Sequence, residues 1–246
     1  MIKTAVILAA GRGERLRPLT DNLPKALIKM GEKTLIEYSL DNLKRAGINK
    51  VIIVAGFLGN LIKEKIGNSY QGIDISYVSN EEYSVTGSMY SLSQIEGIFM
   101  DDSILLLESD LLYEAKILKM LVDSVKPDLV SAAPISGSGD EAFIIADKSG
   151  NLFNLGKGIC DKQTAGSEFI GISKLSLPFL NKMFEIARKD YKQNKKQCHY
   201  EEVILRASKI YPVGVFRSDL VWTEIDKAND LKRAREIIFP KIHALS

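Results

Sequence analysis

Between Leu8 and Leu27 the chain sets Gly11, Gly13, Arg12, Arg15, Arg17 and Lys25 into a loop bounded by Pro18 and Pro24. Glycines let backbone amides come close to a phosphate, and cations at fixed offsets balance the charge of a polyphosphate. Two acidic pairs lie far downstream, Glu108-Ser109-Asp110 and Glu224-Ile225-Asp226, each at the end of an apolar run. Such carboxylates are hard oxygen donors of the kind that hold Mg²⁺. A cationic cradle and strand-end carboxylates together describe chemistry at phosphorus, in which a cation and fixed positive groups neutralise a leaving phosphate.

The elements that must position these groups are also readable. Thr4 to Ala9 is a short apolar run that predicts a buried parallel strand leading into the loop, the place where open α/β sheets bind nucleotides. Thr34 with Glu37 three positions on forms a capping box for a helix ending at Gly47. Further strands are expected at Lys50 to Ala55, Ile73 to Val78, Ser103 to Leu107 and Leu129 to Pro134. Strands separated by helices imply right-handed crossovers and a mainly parallel sheet. Beyond that the pattern changes to a hairpin over Ala142 to Leu155 and a strand from Glu168 to Ser173. Helices are expected over Leu177 to Tyr191, His199 to Lys209 and Asp226 to Ile238, the last stopped by Pro240. With no linker or repeat, the expectation is one α/β domain over residues 1–246, its nucleotide half ending near residue 135 and its acceptor half following.

The loop is neither of two familiar phosphate binders. Leu16 stands where a dinucleotide fingerprint needs a third small residue, and Gly-Lys-Ser/Thr is missing. The order Leu-Ala-Ala-Gly-x-Gly-x-Arg-Leu-x-Pro-Leu-Thr, followed by Pro-Lys-Ala-Leu, resembles instead the signature of nucleotidyltransferases that join a nucleoside triphosphate to a phosphorylated small molecule. The resemblance implies a Rossmann-like, mixed but mainly parallel sheet flanked by helices, of the nucleotide-diphospho-sugar transferase type. It implies that Leu8, Ala9, Ala10, Gly11, Arg12 and Gly13 meet the nucleotide, that Lys25 contacts its α-phosphate and that Arg15 meets the leaving phosphates. Gly87 and Ser88 are expected at the base, with Ala9 and Gly56 as backbone walls. Asp110 and Asp226 are expected to hold Mg²⁺ and, with Lys25 and Arg15, to be catalytic, while Glu108 and Glu224 support them. Helix capping is the other reading of both aspartates, and a surface salt bridge that of Arg17.

Length and the stretches Gly87 to Leu92 and Ser167 to Ile172 are similar to a smaller subgroup, the phosphocholine and 2-aminoethylphosphonate cytidylyltransferases. The expected partners are then CTP and a small zwitterionic phosphate or phosphonate. A quaternary ammonium favours an aromatic cage, whereas a primary ammonium favours carboxylates. The acceptor half offers Asp140, Glu141, Glu168 and Glu201, together with Tyr200 and a phosphate-binding candidate, Lys157, but only one tryptophan, Trp222. That balance points to 2-aminoethylphosphonate first, phosphocholine second and a sugar-1-phosphate third. A non-catalytic nucleotide sensor would have lost an aspartate or the lysine, and nucleotide-sugar glycosyl transfer would use an Asp-x-Asp pair, which is missing here.

Composition sets outer limits. A net charge of +2, from 33 basic and 31 acidic residues, gives no general attraction to nucleic acid. Cys160 and Cys198 form no metal or disulfide pattern, and no apolar stretch approaches the roughly 20 residues that span a bilayer. Met1 to Thr4 leads straight into a strand without a secretion signal, so the expected location is the cytoplasm. A homodimer, or fusion to a second enzyme, is compatible with all of this.

Overall fold

The computed structural model describes residues 2–98, 103–159 and 166–244; Cys160 lies outside them. The chain runs β1 (Thr4–Ala9), β2 (Lys29–Met30), β3 (Lys33–Thr34), α1 (Leu35–Arg45), β4 (Lys50–Ala55), α2 (Gly59–Ile66), β5 (Ser69–Tyr70), β6 (Ile73–Ser79) and α3 (Ser88–Ser93). It continues through β7 (Ser103–Glu108), β8 (Leu111–Tyr113), α4 (Lys116–Asp123), β9 (Leu129–Ala133), β10 (Phe143–Ala146), β11 (Leu152–Gly156) and β12 (Glu168–Ser176). Last come α5 (Leu177–Tyr191), α6 (Tyr200–Ala207), β13 (Gly214–Arg217), β14 (Trp222–Glu224), α7 (Ala228–Arg233), a π turn (Ala234–Ile238) and α8 (Phe239–Ala244).

Strands β7, β1, β4 and β6 form a parallel centre, continued on the β7 side by antiparallel β12 and the β10–β11 hairpin, with β9 and β13 branching from β12. Central strands are apolar on both faces because both faces are covered. On β1, Ala5, Ile7 and Ala9 pack with Ile36, Leu40, Ile62 and Leu118 of α1, α2 and α4. Val6 and Leu8 face the other way, onto Met89, Phe179 and Val203 of α3, α5 and α6. The capping box at α1 forms as expected, with the Thr34 amide donating to Glu37 Oε2 at 2.8 Å.

A third apolar cluster ties the end of the chain to its beginning. Leu16, Ile28 and Met30 of the first loop pack with Ile225, Leu231, Ala234, Ile238 and Ile242. The expected single helix over Asp226 to Ile238 is in fact α7 followed by the π turn, and helix resumes as α8 across Pro240. The wider turn accommodates a ring that lacks an N–H and would clash in regular helix.

β12 is kinked where its register shifts between Phe169 and Ser173. Gly171 sits in that kink with φ +81°, and a Cβ there would lie 3.0 Å from Glu108 Oε2 and 3.3 Å from Leu111. Left-handed backbone costs an L-residue about 1–2 kcal/mol before any contact is counted. Gly171→Ala is therefore expected to lower unfolding stability by about 1–2 kcal/mol, read from urea denaturation; an unchanged midpoint would show that the kink does not require glycine.

Candidate active site

The carboxyl ends of β1 and β7 open into a cavity of about 700 Å³. After Ala9 the chain turns away through Ala10, Gly11 and Gly13, whose φ of +62° suits a residue without a side chain. The Gly13 carbonyl accepts from Thr20 Oγ1 at 2.7 Å and from the Leu16 amide at 3.0 Å, which fixes the loop. Pro24 leads into a 3₁₀ turn, Lys25–Leu27, that carries the Lys25 ammonium into the cavity.

Two acidic strand ends meet this ammonium. β8 pairs antiparallel with β14, placing Leu111 opposite Glu224, and the Ile225 amide donates to the Asp110 carbonyl at 3.1 Å. This pairing brings together residues more than a hundred positions apart. Lys25 Nζ donates to Asp110 Oδ2 at 2.6 Å and to Asp226 Oδ1 at 2.5 Å, and Arg15 lies 2.7 Å from Asp226 Oδ2. Burial by itself would lower the lysine pKa, but the two aspartates outweigh it and raise the pKa above the ordinary value. Burial likewise opposes ionisation of Asp226, yet Lys25 and Arg15 hold its carboxyl below the usual range.

The remaining acids are less well compensated. Glu108 is pushed up to about 8 by burial and by its neighbours Asp110 and Glu201, although Tyr200 Oη donates to its Oε1 at 2.8 Å. Burial and three carboxylates, Asp110, Glu108 and Asp226, push Glu224 up to about 10. Among the described residues, Glu108, Asp110 and Glu224 offer carboxylate oxygens within 4.8 Å of one another, and Asp110 Oδ1 is buried with no hydrogen-bond partner. Clustered hard oxygens with one left orphaned fit a divalent cation such as Mg²⁺. The expected pair, Asp110 and Asp226, shares the Lys25 ammonium, and Glu224 rather than Asp226 completes the close acidic group.

The other expected residues divide. Leu8, Ala10, Gly11, Gly13, Gly87 and Ser88 line the cavity, as do Asp140, Lys157, Glu168 and Glu201. Ala9 is buried in β1, and Arg12 turns outward, 5.7 Å from the Phe57 ring and 3.3 Å from Glu14. Gly56 sits tight against the Ala10 carbonyl. Glu141 is buried away from the cavity wall, and Tyr200 lies behind Glu108. Arg17 pairs with Asp21 on the surface. Asp110 caps no helix, because β8 follows it directly.

Tyr83, Thr86 and Ser91 also line the cavity, as do Phe169, Glu202 and His199, the last of which carried no sequence signal. A Cβ at Gly87 would lie 2.2 Å from the Cys198 carbonyl oxygen, and the Gly87 amide donates to the Lys196 carbonyl at 2.8 Å. The loop ahead of α6 thus closes against the start of α3, and Ser88 Oγ accepts from the Tyr200 amide at 3.1 Å.

Residues 4–133 match the profile of a family described as nucleotidyl transferase. The chain is 27% identical over 246 residues to the CMP-5'-(3-aminopropyl)phosphonate synthase of Streptomyces rubellomurinus, covering 94% of this chain but 38% of that relative. It is 26% identical to the CTP:phosphoglutamine cytidylyltransferase of Campylobacter jejuni, covering 93% and 97% of the two chains. In solved structures it resembles the CTP:phosphocholine cytidylyltransferase of Streptococcus pneumoniae, with a TM-score of 0.78, 26% identity and coverage of 96% and 99%.

The acidic group carries a linkage signature. Glu108 and Glu224 hold protons more tightly in the folded chain than in the unfolded one. Their stabilising contribution is therefore complete below the unfolded carboxyl range, about pH 4, and is lost as pH rises through their folded values. Urea unfolding in EDTA should show stability falling between about pH 6 and about pH 9, with a shallower fall in Glu224→Gln. Equal slopes for the two proteins would contradict this assignment.

Proposed function

The chain belongs to the nucleotidyl transferase family, and from that premise we propose that it is a Mg²⁺-dependent cytidylyltransferase acting on a small phosphonate or phosphate with an amine tail. The observation that carries this reading is the Lys25 ammonium held between Asp110 and Asp226 at the mouth of a glycine-lined loop. An ionised oxygen of the acceptor attacks the α-phosphorus of CTP. The new P–O bond forms as the bridge to the β-phosphate breaks, and pyrophosphate leaves with the bonding electrons. Because that oxygen is charged near neutral pH, no general base is needed, and catalysis is positioning plus charge neutralisation.

Lys25 takes the α-phosphate and Arg15 the departing phosphates, while the amides of Gly11 and Gly13 line the cradle. Glu108, Asp110 and Glu224, with Asp226 beside them, would hold Mg²⁺, which when bound supplies Lewis-acid neutralisation of phosphate charge. Gly87, Ser88, Tyr83 and Thr86 form the wall assigned to the base. Cytidine is preferred because all three relatives named above carry CTP or CMP in their descriptions.

The acceptor end is acidic. Glu201 and Glu202 line it, and Glu201 Oε2 is buried without a hydrogen-bond partner. Phe169 is an aromatic ring at this end, whereas Trp222 is buried and does not line the cavity. Carboxylates without a cage favour a primary ammonium, which supports 2-aminoethylphosphonate over phosphocholine and, after these, sugar-1-phosphates. No described helix is long and apolar enough to cross a membrane. Action in the cytoplasm, where nucleoside triphosphates are available, belongs to the same proposal.

The test is a competition. With CTP, Mg²⁺ and equimolar 2-aminoethylphosphonate, phosphocholine and glucose-1-phosphate, mass spectrometry should find the CMP ester of the aminophosphonate as the main product. A dominant choline or sugar product would reject the acceptor. Lys25→Ala and Asp110→Ala should each lower kcat by about 10²–10³-fold in pyrophosphate release, the usual effect of removing a group that stabilises transition-state charge. Near-wild-type turnover in either variant would reject the reaction as well.

A further inference from the structure

Asp140 was expected to meet the acceptor's amine, yet both of its oxygens are engaged by cations. Arg15 donates to Oδ2, and Lys157 Nζ lies 2.9 Å from Oδ1. Arg15 and Lys157 reach the cavity wall from different elements and meet at one carboxylate: Arg15 follows β1, and Lys157 follows β11. Their side chains are 49% and 56% exposed, so solvent and solutes reach them, and Asp140 is 24% exposed between them. The same two cations suit the anionic groups of the two proposed substrates, the leaving phosphates at Arg15 and the acceptor's phosphonate at Lys157.

We infer that Asp140 is a positioning residue that stands in for substrate oxyanions and couples the two subsites. This rests on the cytidylyltransferase reading for the identity of the substrates, but not for the competition itself. The nitrogens that Arg15 and Lys157 turn toward Asp140 are the ones a substrate oxyanion at that place would need, so each substrate draws its cation away from Asp140, while Arg15 keeps Asp226 on its other nitrogen. Once the first has done so, the carboxylate has lost half of its support, and the second substrate finds its cation easier to take. Two ligands that both favour the released arrangement bind with positive coupling, and the coupling is reciprocal.

The local chain permits this motion. Asp140 follows the segment Ser136-Gly137-Ser138-Gly139, in which Gly137 and Gly139 have φ of +76° and +84° and open space where a Cβ would lie. Ser136 is the anchor, donating from its amide to Glu168 Oε2 at 2.6 Å and from its hydroxyl to Oε1 at 3.2 Å. Beyond it the Ser138 amide donates to Ser136 Oγ at 3.2 Å and the Asp140 amide to Ser138 Oγ at 3.3 Å, while the Asp140 carboxylate is held by the two cations. They also outweigh burial, keeping its carboxyl below the usual range and ionised at neutral pH.

The experiment uses anions that carry neither base nor amine, so that it stands apart from the reaction. Calorimetry on the full chain would measure inorganic tripolyphosphate and methylphosphonate, each alone and each with the other saturating, in wild type and Asp140→Asn. The amide is isosteric, and a thermal melt checks that the variant is folded. Each anion alone should bind Asp140→Asn about three- to tenfold more tightly. Saturating tripolyphosphate should improve methylphosphonate binding several-fold more in wild type than in the variant, as befits a coupling of about fivefold or more. Deleting a negative charge without displacement would tighten both anions and leave the coupling equal in the two proteins, which would overturn the inference. So would unchanged or weaker binding by Asp140→Asn, and so would failure of wild type to bind either anion. Loss of CTP turnover with the coupling intact would instead reject the proposed reaction alone.

Discussion

Four acidic side chains crowd together where the end of β7 meets the β8–β14 pair, and one buried ammonium sits among them. Lys25 bridges Asp110 and Asp226 while Glu108 and Glu224 lie alongside, and its side chain is 13% exposed. Removing one member of such a buried ion pair leaves an uncompensated charge, typically at a cost of about 3–5 kcal/mol. The cradle loop, the short β8–β14 pairing and the closure of the C-terminal segment onto that loop all serve this contact. If Leu111 slipped one position against Glu224, the side chains of that strand would exchange faces and the acids would separate.

The rigidity behind this arrangement comes from the sheet. β1 and β7 are buried on both faces, so the points where their ends deliver Ala10 and Glu108 have little freedom. Tyr200 and Gly171 then aim Glu108, one by donating to Oε1 and the other by leaving room for Oε2. Around these fixed points the polar groups are deliberately uncomfortable: an orphaned Asp110 oxygen, an orphaned Glu201 oxygen and two carboxyls that resist ionisation. A core would not retain such groups, and their concentration in one cavity is the physical mark of a binding site.

What could be read in the sequence was what is local. The Leu8 to Leu27 loop is contiguous, so its residue types alone defined a polyphosphate cradle, and the apolar runs before it and before Glu108 defined the strands. The two Glu-x-Asp pairs were visible too, but which carboxylates share a cation depends on a strand register between segments of three residues, too short to show periodicity. The contact of Arg15 with Asp140 spans 125 positions and leaves no local trace. Tyr200 was misjudged for a related reason. Its place on α6 was predictable, but whether that face turns toward the acceptor or toward the underside of Glu108 is settled by packing against β12 and β7. At Pro240 the ring ended the helix on propensity grounds, and tertiary contacts with Leu16 and Met30 carried it on through a π turn.

Charge alternation across the cavity suggests how these parts act together. Lys157, Asp140, Arg15, Asp226, Lys25 and Asp110 form an unbroken chain of opposite signs from the acceptor end to the acidic group. Its three cations and three carboxylates cancel, and Glu108 and Glu224 remain largely protonated near neutral pH. Along this series the charges therefore balance, while Glu201 and Glu202 keep the acceptor end acidic. A bare triphosphate entering the cavity would add several negative charges next to Asp110 and Asp226 and would meet repulsion at close range. A triphosphate accompanied by a divalent cation would add far less, and Glu108, Asp110 and Glu224 are the groups that would hold that cation. The same pairing commits Arg15, Lys25 and Lys157 each to a carboxylate at rest, so a substrate oxyanion reaching one of them meets a cation already engaged.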